Sequence, residues 1–115
     1  MKGRKKLKKT VYNIDRSSAL TGAAAVANAG REKGRTFIVI GGSVDDGRVF
    51  ISDGRHRRLG SPKLKGTHHL RLLGIVPEIA EKLRDGICTD RDIRRAVYTV
   101  NEAKILSKGE SNAEG

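Results

Sequence analysis

Residues 22–42 read GAAAVANAGREKGRTFIVIGG. Three parts stand out. Residues 36–40, Thr-Phe-Ile-Val-Ile, are β-branched and aromatic, the composition that fits a pleated, half-buried surface, and they predict a strand. Ala23–Ala27 is a weaker strand candidate. Gly41-Gly42 is expected to end the second strand. Between the strands, Gly30 and Gly34 bracket Arg31, Glu32 and Lys33, with Arg35 following. Glycine takes a left-handed backbone conformation at little cost. A tight loop built on these two glycines turns Arg31, Lys33 and Arg35 outward, where their charges and the loop N–H groups can meet phosphate oxygens.

Outward from this stretch the pattern stays β-like. Val49-Phe50-Ile51 is a second β-branched and aromatic run, and Asp45-Asp46-Gly47 before it supplies the positive φ of a tight hairpin turn. Residues 68–73, His-His-Leu-Arg-Leu-Leu, form a further strand candidate, in which neighbouring histidines point to opposite faces. Four or five short strands with Gly-rich turns predict a small barrel. The period then changes. Val76, Ile79, Ala80 and Leu83 share one helical face, Pro77 suits a first turn and Asp85-Gly86 an end. Thr89-Asp90-Arg91-Asp92 reads as a capping box opening a second helix, with Ile93, Ala96, Val97 and Val100 on one face and Arg91, Arg94 and Arg95 on a solvated one. The expected organisation is a basic flexible arm over 1–19, a barrel over 20–73, a helical appendage over 74–106 and a disordered tail over 107–115.

Charge points to the partner. The chain of 115 residues carries 24 Lys and Arg against 13 Asp and Glu, a net charge of +11. Residues 1–19 contribute +6, residues 20–73 another +6, and residues 74–115 −1. An excess confined to the first two thirds is the footprint of a nucleic-acid binder. Arg55, Arg57, Arg58, Lys63 and Lys65 form a second basic segment, and Arg can fork onto a phosphate as Lys cannot. With no Trp, two Phe and two Tyr, a base-stacking platform is not the main expected mode. Phe37 and Phe50 are expected in the core, and folded RNA is expected to be gripped by backbone and shape. No apolar run reaches the 18 residues that suggest a membrane span, and no membrane or small-molecule partner is expected. A single cysteine, Cys88, suits a reducing compartment and a cytoplasmic location; the basic start followed by alanines does not read as a signal peptide, because Asn13, Asp15 and Arg16 interrupt it.

The basic loop, its two strands and the return segment, Asp53-Gly54-Arg55-His56-Arg57-Arg58 with Pro62-Lys63-Leu64-Lys65, resemble the KOW family. That family includes archaeal and eukaryotic large-subunit ribosomal proteins and small bacterial relatives. The resemblance covers residues 22–73. It implies an SH3-like barrel and RNA binding, most simply of ribosomal RNA on a ribosomal subunit. The RNA-binding residues expected are Arg31, Lys33, Gly34, Arg35, Arg55, Arg57, Arg58, Lys63 and Lys65. Alternatives are a KOW-type transcription elongation or antitermination module, and a ligand-sensing domain in the C-terminal half, since residues 86–92 contain the Thr-x-x-Asp turn of nucleotide-sensing CBS modules. No enzyme, cofactor or metal site is expected: His56, His68, His69 and Cys88 lack metal-ligand spacing, no motif sets a base beside Cys88, and the phosphate-loop pattern is absent.

Overall fold

The computed structural model describes residues 14–43 and 47–114, with side chains as far as residue 104. Among the described residues six strands form one antiparallel sheet: β1 (Ile14–Asp15), β2 (Ala23–Ala27), β3 (Thr36–Ser43), β4 (Arg48–Ser52), β5 (Lys63–Gly66) and β6 (Leu70–Ile75). Two helices follow, α1 (Pro77–Arg84) and α2 (Asp90–Glu114). The strand path is β5-β4-β3-β2-β6, and β1 pairs with the far end of β3. The molecule is thus mainly β, with helices at the C-terminal end, and the sheet is open.

The sheet is nevertheless curled. β5 and β6 stand at opposite ends of a five-strand path, which in a flat sheet sets them about 19 Å apart. Yet only the single 3-10 turn Thr67–His69 joins them. Two irregularities aid the bend, one in β2 and β6 at Ala24/Ala25 and one in β3 and β4 at Val39/Gly41; bulges raise local twist. The curl buries one face on itself: Ala23, Ala25, Ala27, Phe37 and Val39 meet Val49 and Ile51 of β4 and Leu70 of β6. The helices cover the other face, where Ala24, Ile38, Ile40 and Phe50 pack with Ile79, Leu83, Ile93 and Ala96. The central strands β2 and β3 are therefore buried on both sides, which is why neither alternates polar with apolar. Phe37 and Phe50 lie in the core as expected.

Four features depart from the sequence expectations. Gly41-Gly42 continue β3 instead of ending it. They are there for close approach: a Cβ on Gly41 would collide with Ile14 Cγ2, so the glycine lets β1 lie against β3. Consequently residues 14–19, expected in the arm, are held in place, with Ile14 packed against the helix-covered core. Residues 67–69 form a 3-10 turn, so His68 and His69 do not point apart; their ring centroids are 3.9 Å from each other. The helices are integral to the core and α2 is long, running from Asp90 to Glu114 with no Pro to interrupt it. The basic segment over residues 1–9 and Asp45-Asp46 of the hairpin turn lie outside the described residues. Among the described residues no helix is long and apolar enough to cross a membrane.

Candidate nucleic-acid interface

β2 ends, β3 begins, β4 ends and β5 begins at the same end of the sheet, because Val26 pairs with Thr36, Ile38 with Ser52 and Ile51 with Lys63. That register brings the two basic connections together. In the first, Gly34 N donates to Ala27 O at 2.8 Å and Ala27 N to Arg35 O at 3.0 Å. Gly30 and Gly34 have φ of +80° and +90°, the left-handed conformation their sequence position suggested. Arg31, Lys33 and Arg35 are exposed around this loop.

The second connection is a turn built on Asp53. Its Oδ1 accepts from the backbone N–H groups of Arg55, His56 and Arg57 at 2.8–2.9 Å. Partial burial opposes ionisation of this carboxyl. The three N–H groups, with the charge of His56, outweigh it and hold the carboxyl below its ordinary range. Ser52 Oγ donates to Arg57 O at 2.6 Å and accepts from Gly54 N at 3.1 Å. The turn leaves Arg55, His56 and Arg58 exposed. Arg35 Nη1 lies 3.5 Å from His56 Nδ1, so the two connections touch.

Glu32 joins them. Its carboxylate accepts from Lys63 Nζ at 2.9 Å and Arg57 Nε at 3.4 Å, with Lys65 Nζ at 3.8 Å. Burial would raise its pKa, but Lys63 and then Arg57, by hydrogen bond and charge, hold it below the ordinary range. Three of the cations expected to face phosphate are thus engaged inward: the Arg57 side chain is 41% exposed, Lys63 32% and Lys65 11%. Arg31, Lys33, Arg35, Arg55 and Arg58 are the exposed cations among the expected site residues, and Gly34 is exposed beside them. The signal that finds Glu32 is a lone acid set among Arg31, Lys33 and Arg35.

The N-terminal part of α2 buttresses the second turn. Thr89 and Asp92 form the expected reciprocal cap, with Asp92 N donating to Thr89 Oγ1 at 3.2 Å and Thr89 N to Asp92 Oδ2 at 3.0 Å. Asp90 Oδ1 accepts from Leu59 N at 2.8 Å, and Arg94 Nη1 donates to Gly54 O at 2.9 Å. Gly54 has φ +75° and no room for a Cβ, which would strike the carbonyl of Asp90. Arg94 therefore leaves the solvated face expected of it, while Arg91 and Arg95 stay exposed. Asp92 also accepts from Lys82 of α1 at 3.1 Å, which ties the start of α2 to α1. Further along, Thr36 Oγ1 donates to Asn101 Oδ1 at 2.7 Å, tying α2 to the start of β3. Tyr98, given no role from sequence, is exposed beside the Asp53 turn.

Cys88 is half-buried. Burial, reinforced by Asp92, pushes its thiol up to about 11, so it is protonated at neutral pH and a poor nucleophile. The sequence matches no protein-family model and no curated protein.

Proposed function

We propose that this protein is a non-catalytic RNA-binding protein of the KOW type, cytoplasmic and ribosomal or ribosome-associated, and that its curled sheet is a partly open SH3-like barrel. The barrel reading is supported by the strand path, with consecutive strands β5 and β6 at its two edges joined by one 3-10 turn. One observation carries the functional reading. Arg31, Lys33 and Arg35 from one connection, and Arg55 and Arg58 from another, are exposed at the same end of the sheet, while the acids of these connections are already occupied, Glu32 by Arg57 and Lys63 and Asp53 by three backbone N–H groups. An exposed cluster of one sign attracts a polyanion, and its arginines can fork onto phosphate oxygens. The loops are braced by hydrogen bonds to backbone groups, so little ordering cost remains when a rigid RNA docks. Co-sedimentation tests this reading. The protein should travel with ribosomal subunits at low salt and be released at high salt. Free protein at low salt would refute the ribosomal assignment.

A further inference from the structure

Between the start of β3, the Asp53 turn and α2 lies an open groove of about 430 Å³. We infer that this groove receives one unpaired nucleotide of the bound RNA, its base against Tyr98 and its phosphate against Arg35 and Arg55. The inference rests on the RNA-binding reading above and adds a stacking contact to it.

Tyr98 is 66% exposed. A lone exposed tyrosine on a helix means little, but this one has a setting. Arg94 and Asn101, one turn to either side of it on α2, line the same groove, and Arg35, Arg55 and His56 line it from the two connections. The single carboxylate among the lining residues, that of Asp53, accepts from three backbone N–H groups. The groove thus offers an aromatic face, cations and side-chain donors together. Base stacking on a ring, phosphate contact through Arg and reading of a base edge use those three groups. The volume falls in the range of small-molecule sites, about 300–1,000 Å³. A base inside a duplex is stacked on its neighbours and cannot lie on the ring, so the groove selects RNA with a bulged or looped-out nucleotide.

The test uses the full chain and two RNA hairpins, one fully paired and one with a single unpaired 2-aminopurine. Wild type should bind the bulged hairpin more tightly and quench its fluorescence. Tyr98→Ala should lose about 5- to 160-fold on the bulged hairpin, the range of alanine substitutions at stacking sites, and nothing on the paired one; Tyr98→Phe should keep both the affinity and the quench. Equal binding of the bulged hairpin by wild type and Tyr98→Ala, with binding of the paired hairpin intact, would overturn the stacking site alone. Failure of wild type to bind either hairpin would overturn the RNA-binding reading and the stacking site with it. Adenosine monophosphate bound as tightly as the bulged hairpin would make the groove a free-nucleotide site and overturn the inference.

Discussion

Lys63 Nζ lies 2.9 Å from Glu32 Oε1, which links the edge strand β5 to the loop between β2 and β3. With Arg57 and Lys65 on the same carboxylate, one acid pulls together both basic connections of the candidate interface. Removing its charge takes away the carboxylate that Lys65, the most enclosed of the three, faces at 3.8 Å. Glu32→Gln should lower stability by about 1–2 kcal/mol, between the values for exposed and for buried ion pairs. Urea denaturation at neutral pH measures this, and an unchanged midpoint would mean that the cluster is not maintained in solution.

The same carboxylate gives a pH dependence. Glu32 and Asp53 both titrate below their ordinary values of 4.5 and 3.8. At mildly acidic pH the folded state therefore binds fewer protons than the unfolded chain. The stability these groups contribute is complete above their ordinary values and is lost as pH falls through them toward the lower folded values. Melting temperature should decline as pH drops below about 4.5, and less steeply in Glu32→Gln. A variant with the wild-type acid profile would exclude Glu32 as a source of it.

Gly34 and Gly54 both sit at positive φ, but only Gly54 is crowded: a Cβ there meets the Asp90 carbonyl and the Arg94 side chain, whereas nothing lies within 4 Å at Gly34. Gly34→Ala should cost about 1–2 kcal/mol from backbone strain. Gly54→Ala should cost about 1–3 kcal/mol more from overpacking, and should separate the turn from α2. Thermal melts of the two variants give the comparison, and equal losses would be inconsistent with the turn seated on the helix.

Thr89 accepts from Asp92 N at 3.2 Å, the side-chain bond that starts α2. Thr89→Ala should cost about 0.5–2 kcal/mol. Because Asp90 and Arg94 hold the basic turn from the first turns of this helix, the amide resonances of residues 54–59 should shift as well. Changes confined to α2 would show that the turn stands without it.

Much of this architecture was legible in the residues. The apolar strands, both positive-φ loop glycines, the whole of α1 and the cap of α2 follow from local propensity, and local propensity acts where it can be read. The rest depends on partners distant in sequence. Gly41-Gly42 have the composition of a terminator, yet serve close approach by Ile14, which sequence spacing does not reveal. Lys63–Gly66 looks like a basic loop because its strand character comes from pairing with β4. Arg57, Lys63 and Lys65 read in sequence as loop cations like Arg31 and Arg55; only the fold shows that Glu32 has claimed them. Tyr98 was counted among scarce aromatics, while its value lies in where α2 sets it down.

The central claim is that five exposed cations from two connections form one phosphate-binding surface, and salt dependence tests it most directly. If Arg31, Lys33, Arg35, Arg55 and Arg58 each meet a phosphate, the log–log slope of affinity against salt on a ribosomal RNA fragment should be roughly −3.5 to −4.5, at about −0.7 to −0.9 per contact. Changing Arg55 and Arg58 together to Ala should flatten it by about 1–2 units and leave the melting temperature almost unchanged, since exposed charges contribute little to stability. Arg91 and Arg95, exposed on α2 in the segment of net charge −1, should change it far less when replaced. A flat salt response in wild type, or a larger loss from the Arg91 and Arg95 pair than from Arg55 and Arg58, would contradict the placement of the RNA surface.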